Sequence, residues 1–197
     1  MNYDLLTMNP KSIPKIILAS KSPRRQELLK LMDLEFRIVL KEVDESYPDY
    51  LKPEEIALYI AQKKAEAFDE EINDEVVLTA DTIVSIDGHI LGKPETPEHA
   101  IEMLKMLSGK THQVITGVCL LYQHKYHSFF DVSDVSFREL TEDEIRSYVD
   151  KYKPMDKAGS YGIQEWVGLT GIERINGSYT NVVGLPTEKL YRELLKL

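Results

Sequence analysis

The 197-residue chain has one cysteine, Cys119, one tryptophan and no unbroken apolar run longer than six residues, 56–61. A single thiol excludes an internal disulfide framework and a structural zinc–thiolate site. An apolar run of that length is far short of the roughly 20 residues a membrane helix needs, and residues 1–14 hold no apolar core of signal-peptide length. Positive charge is also scarce: 24 Lys and Arg face 33 Asp and Glu, a formal net charge of −9. That balance argues against a general nucleic-acid binder, as does the acidic stretch 41–75. Ten glycines and nine prolines are too few for a collagen-like or low-complexity chain. What is present, 43% apolar and 29% charged residues, fits one globular domain or two small lobes around a cleft. The expectation is a cytoplasmic domain over 15–197 with an N-terminal extension, 1–14, and no membrane or nucleic-acid partner.

Hydrophobic periodicity and turn residues outline the elements. Residues 15–19 read as a short buried strand that runs into a helix with Ser22 as N-cap and Pro23 in its first position. A second strand is expected at 36–40, followed by an acidic loop around Asp44-Glu45 and a helix opened by Pro53. Residues 76–80 read as an apolar strand ending at Asp81-Thr82, and 83–90 as a hairpin about Asp87-Gly88. A helix from Thr96-Pro97 to about Leu107 precedes two long antiparallel strands joined at residues 123–125. Thr141 and Glu144 form a capping box, residues 156–179 read as glycine-rich loop and strand, and Pro186 starts the last helix. This order implies a mixed α/β (α+β) fold: an elongated, twisted mixed sheet flanked by helices.

The common nucleotide and hydrolase motifs are absent: no G-x-G-x-x-G, Walker A, H-E-x-x-H or G-x-S-x-G occurs. Polar residues gather instead at the ends of expected strands. Residues 15–30 carry five cations and one anion, inside an acidic protein, around a strand-to-helix junction whose N–H groups and dipole suit a phosphate. Ser20 and Ser22 add hydroxyls there, and Arg24 and Arg25 add forked donors. Glu45 and Asp81 are hard oxygen ligands of the kind Mg²⁺ or Mn²⁺ takes, and either carboxylate can accept a proton from water. A carboxylate directly after a buried strand, as at Asp81, needs a partner or a function. Lys64, Lys93 and Lys157 form a third set, the last two beside glycines. Tyr161 and Gln164 form a fourth, able to pack a ring and to read its edge. Cys119 and the pair His124 and His127 read as buried and surface residues without chemistry.

Eight ordered stretches carry a resemblance to a known family: L-A-S-K-S-P-R-R (18–25), V-D-E (43–45), the lysine of K-K-A (63–65), A-D-T (80–82), G-K-P (92–94), S-G-K-T-H-Q-V-I-T-G (108–117), D-K-A-G-S-Y-G-I-Q (156–164) and I-N-G-S-Y-T-N-V-V-G-L-P (175–186). Together they resemble the Maf family of nucleotide pyrophosphatases over roughly residues 15–195. The resemblance implies two lobes around a deep cleft, as in inosine triphosphate pyrophosphatases. It also implies metal-dependent cleavage of a nucleoside triphosphate to monophosphate and pyrophosphate, and makes a homodimer an expectation. Asp81 would then be the general base and, with Glu45, a metal ligand, while Ser20, Ser22, Arg25, Lys64, Lys93 and Lys157 would hold phosphates. Arg24, Thr82 and Gln164 match the branch acting on dTTP and UTP, not the branch acting on 7-methyl-GTP, which usually has an aromatic residue, Gln and Glu there. The alternatives are that purine-directed enzyme and a nucleotide-binding regulator of septum formation that does not hydrolyse. One departure from the pattern is Glu165-Trp166, where a glycine usually follows G-I-Q.

Overall fold

The structure, a computed structural model, describes residues 13–69 and 74–197. Of the expected extension, residues 1–12 lie outside the described residues, and Ile13 packs against the core. In chain order the elements are β1 (Ile16–Leu18), α1 (Pro23–Leu31), β2 (Phe36–Ile38), α2 (Pro53–Glu66), β3 (Val76–Ile86), β4 (His89–Leu91), α3 (Pro97–Leu107), β5 (Thr111–Tyr122), β6 (Lys125–Phe137), α4 (Glu142–Tyr152), a single 3₁₀ turn (Ala158–Ser160), α5 (Trp166–Gly171), β7 (Ile172–Asn176), α6 (Tyr179–Val183) and α7 (Thr187–Leu194).

Local chemistry sets most of these boundaries. Ser22 Oγ accepts the Arg25 N–H at the start of α1, with Pro23 in the first helical turn. Thr96 caps α3 through the His99 N–H, and Thr141 and Glu144 form the expected capping box of α4. Both two-residue hairpin turns need left-handed backbone: Asp87 and Gly88 adopt φ of 49° and 79°, and Gln123 and His124 adopt 48° and 57°. Paired positive φ values are what lets a tight turn follow the twist of its strands.

The strands form one seven-stranded mixed sheet in the order β2-β1-β3-β5-β6-β7, with β4 paired to β3. β1 runs parallel to β2 and β3, and the remaining pairings are antiparallel. Helix α2 packs on one face, where Ala57, Ala61 and Ala65 meet Val77, Ile83, Ile115 and Cys119. The other face carries two separate clusters. One gathers Leu28 and Leu29 of α1 and Leu190 and Leu194 of α7 over the first half of β3. The other gathers α3 and α4 over its second half, at Val84 and Ile86. These are the two expected lobes, and the mixed α/β sheet flanked by helices is as expected.

Two expectations fail. β3 does not end at Asp81-Thr82; it continues to Ile86, because β5 pairs it without a break from Val77 to Ser85. A polar pair does not stop a strand whose backbone bonds are already met by a neighbour. The segment 156–179 is not only loop and strand: it also holds α5 and the start of α6. Both are too short to show a helical apolar period, and α5 contains two glycines.

Candidate functional site

The sheet is incomplete beside the middle of β3. β1 pairs β3 only as far as Leu78, and β4 joins only at Val84. Over residues 79–83 that side of β3 has no strand partner among the described residues. A cleft of about 670 Å³ opens there, a size that suits a small ligand. Consecutive strand residues point to opposite faces, so Asp81 faces α2 while Thr82 faces the seam between the lobes. Both line the same cleft.

On the α2 side the cleft is charged. Lys64 Nζ lies 2.8 Å from Asp81 Oδ1 and 3.0 Å from Glu45 Oε1. The Lys64 and Asp81 side chains are each only 16% exposed, against 51% for Glu45. Close packing of α2 places the lysine. Gly117 pairs with Asp81 in register, and a Cβ there would lie 2.3 Å from the Ala57 carbonyl carbon. Next to it the Thr79 hydroxyl donates to the Ala61 carbonyl at 2.6 Å. Partial burial works to raise the Glu45 carboxyl, but Lys64, then Lys93 and Arg25, outweigh it and hold it below its ordinary value. Glu45 is thus ionised at neutral pH. The two carboxylates converge on one cation, the Lys64 ammonium. No group of three or more His, Cys, Asp or Glu side chains assembles into a metal cage among the described residues. Two carboxylates with room for phosphate oxygens and water is a donor set that fits Mg²⁺ or Mn²⁺.

On the other side the cation meets neutral acceptors. Arg25 donates from Nε to the Gly184 carbonyl at 2.8 Å, from Nη1 to the Ala80 carbonyl at 2.9 Å and to Ser20 Oγ at 3.2 Å, and from Nη2 to Thr82 Oγ1 at 3.0 Å. Four of its five N–H donors therefore tie the loop after β1, β3 and the end of α6 together. Burial lowers its basicity and the nearby Asp81 charge works against that. Ser20 Oγ accepts from both Arg25 and the Ser22 N–H, so its own proton is left for an acceptor in the cleft. Around Thr82 the lining turns apolar, with Val84, Val114, Tyr161, Ile163 and Val183. Tyr161 hydrogen-bonds Nε2 of buried His112 at 2.7 Å, and burial lowers His112 to about 4.

A third group forms the rim. Arg24 Nη1 pairs with Asp156 Oδ2 at 3.1 Å, and Lys157 Nζ pairs with Asp156 at 2.6 Å and Glu165 at 3.0 Å. The Tyr148 hydroxyl donates to Glu165 and accepts the Gly162 N–H. Burial works to raise Asp156, but Lys157 and Arg24 together bring it below its ordinary value. The cleft brings together Ser20, Ser22, Arg24, Arg25, Glu45, Lys64, Asp81, Thr82, Lys93 and Lys157. Gln164 is exposed and is not among its lining residues, although its neighbours Gly162 and Ile163 are. Sequence reasoning assigned no role to Thr116 and Asp156, which lie inside the matching stretches 108–117 and 156–164, and passed over Tyr148. Glu165 carried a signal of its own, as the break in the G-I-Q pattern.

A cleft with cations and carboxylates at one end and apolar walls at the other has the chemistry to take a polyanion that carries a ring. The chain belongs to the Maf family: the description "Maf-like protein" matches residues 15–197. The dTTP/UTP pyrophosphatase of Bacteroides fragilis (strain ATCC 25285) is 57% identical over 185 residues, which cover 93% of this chain and 96% of that protein. The dTTP/UTP pyrophosphatase of Flavobacterium psychrophilum is 52% identical over 182 residues, 92% of this chain and 93% of that protein. Among solved structures, the Staphylococcus aureus Ham1 protein aligns with 62% of this chain and 71% of that chain, at 14% identity and a TM-score of 0.43. No helix among the described residues is long and apolar enough to cross a membrane.

Proposed function

We propose that this chain hydrolyses nucleoside triphosphates, dTTP and UTP foremost, to the monophosphate and pyrophosphate. The observation that carries this reading is the convergence of Asp81 and Glu45 on Lys64 beside the start of α1, at the edge of an apolar recess. The names of the relatives support it, and neither the 7-methyl-GTP enzyme nor the non-hydrolysing regulator is favoured. The triphosphate lies along the charged side, held by Ser20, Ser22, Lys64, Lys93 and Lys157 and by the positive end of α1. Arg25 holds the scaffold of the opposite, Thr82 side, with one N–H left for phosphate. Asp81 takes a proton from the water that attacks the α-phosphorus, and the bond to the bridging oxygen breaks with pyrophosphate leaving. Glu45 and Asp81 would hold a divalent metal ion, Mg²⁺ or Mn²⁺, which when bound stabilises charge on the phosphate oxygens. The ring enters the apolar recess, where Arg24, Thr82 and Gln164 select it; Gln164 meets it from the rim. The reading extends to a cytoplasmic homodimer, without a nucleic-acid partner.

The test is product analysis with dTTP, UTP, CTP, GTP and 7-methyl-GTP in Mg²⁺ or Mn²⁺. Pyrophosphate and monophosphate from dTTP and UTP are expected. Orthophosphate in place of pyrophosphate would mean that a different bond is cut, and nucleotide binding without turnover would favour a regulator.

A further inference from the structure

We propose that Thr116, buried behind the cleft, dictates which way the Thr82 hydroxyl sends its proton, and so makes the recess select a pyrimidine ring that carries a proton on N3. This rests on the reading of the cleft as a pyrimidine nucleotide site. Thr116 lies on β5 opposite Thr82 in register and is fully buried. Its Oγ1 is 3.1 Å from the Asn181 carbonyl. A carbonyl can only accept, so the single Thr116 hydroxyl proton goes there. The Thr116 and Thr82 hydroxyl oxygens are 3.0 Å apart. With the Thr116 proton committed, Thr82 must be the donor between them. Arg25 Nη2 then fills one lone pair of Thr82 from 3.0 Å. The result is a one-way relay, Arg25 to Thr82 to Thr116 to the Asn181 carbonyl.

What remains at Thr82 is one lone pair and no proton. Reversing the relay gives up the Thr116–Asn181 bond and sends two protons, from Arg25 and Thr116, onto one oxygen. The Asn181 carbonyl would keep the Gly184 N–H at 3.0 Å, but an enclosed bond is still lost. A ligand atom that meets Thr82 must therefore be a donor. Uracil and thymine present N3–H between two carbonyls, whereas cytosine presents a bare N3 lone pair. Thr116 never meets the ligand in this scheme; it is a positioning residue.

The experiment compares kcat/KM for UTP and CTP in wild type, Thr116→Val and Thr116→Ser, with kcat and KM read separately. Valine keeps the shape and removes the acceptor, which frees the Thr82 proton to point into the cleft. The ratio of CTP to UTP is expected to rise about tenfold in Thr116→Val, about the worth of one hydrogen bond. Thr116→Ser restores the wild-type ratio. A ratio on one preparation does not move with the fraction folded, so simple destabilisation cannot mimic the result. An unchanged ratio in folded Thr116→Val overturns the inference. Should that variant not fold, Thr116→Ala, which also removes the acceptor, is read on the same UTP and CTP pair: a raised ratio supports the relay and an unchanged ratio overturns it. Wild type that releases no pyrophosphate from UTP overturns the pyrophosphatase reading and, with it, this inference.

Discussion

Asp81 and Thr82 are consecutive residues, yet the two sides of the cleft they serve are held by opposite means. On the Asp81 side, charges meet charges: Lys64 sits between Asp81 and Glu45 at 2.8 and 3.0 Å. Each of those bonds can be exchanged for a bond to phosphate or to a metal ion, because a charged group keeps its value when one counter-charge replaces another. On the Thr82 side an arginine is tied to carbonyls and hydroxyls, with four of its five N–H donors each on a neutral oxygen. Such a set loses bonds if it rearranges, and a buried donor or acceptor left unpaired costs about 1–3 kcal/mol. The first side is built to change partners and the second to hold still. An enzyme that binds a polyanion by charge and a ring by shape needs one of each.

The sharpest way to break the contrast is at the charged side. Asp81→Asn should lower pyrophosphate release by about 10²–10⁴-fold, the usual worth of a general base, with an unchanged circular dichroism spectrum. Near wild-type turnover in a folded Asn variant would remove Asp81 from that role. The neutral side should instead reveal itself through stability against pH. His112, 1% exposed and with Nδ1 unpartnered, is lowered to about 4 from an ordinary 6.5. The unfolded chain therefore binds this proton first as pH falls. Stability is full above about 6.5 and is lost as pH falls towards 4, by as much as about 3 kcal/mol. Urea unfolding of wild type and His112→Gln over that window checks it; the variant should show a shallower slope.

Smaller effects should separate placement from chemistry. Gly117→Ala pushes a methyl group against the backbone of α2, which should cost about 2 kcal/mol by thermal or urea unfolding. It should also weaken turnover by displacing Lys64 from Asp81. Unchanged stability would mean that α2 can shift freely. At the rim, Asp156→Asn removes the ion pairs with Arg24 and Lys157, in which the aspartate side chain is 59% exposed and Lys157 keeps its pair with Glu165. Exposed pairs contribute little, so KM for UTP should rise by no more than about threefold with kcat unchanged.

The sequence made the helix starts legible through particular residues. Ser22, Thr96 and Thr141 cap where their side-chain oxygens can reach the third residue on, and this chemistry is local. The Asp87-Gly88 turn is legible for the same reason. The end of β3 was not, because whether a strand passes through Asp81-Thr82 depends on β5, more than thirty residues later. α5 and α6 were hidden by their shortness. Among the site residues, the cations of 18–25 and the Asp81 carboxylate announced themselves by standing where an isolated charge is costly. Thr116, Tyr148 and Asp156 did not, since an ordinary threonine, tyrosine or aspartate acquires its role only from what it touches.

By itself the sequence determined the elements that cap and turn within a few residues, the alternation that buries one face of each strand, and the ordered motifs that mark a Maf-family chain. Those follow from short-range hydrogen bonding and from which side chains water excludes. The tertiary structure alone decided that β1 and β4 would leave residues 79–83 of β3 without a strand partner on one side, among the described residues. It also decided that α2 would sit close enough on Gly117 to bring Lys64 onto Asp81, and that Thr82 would be wired through Thr116 to a carbonyl of α6. The reason is that partners far apart in the chain meet only when the sheet closes, and the direction of a hydroxyl proton is set by whichever acceptor lies behind it.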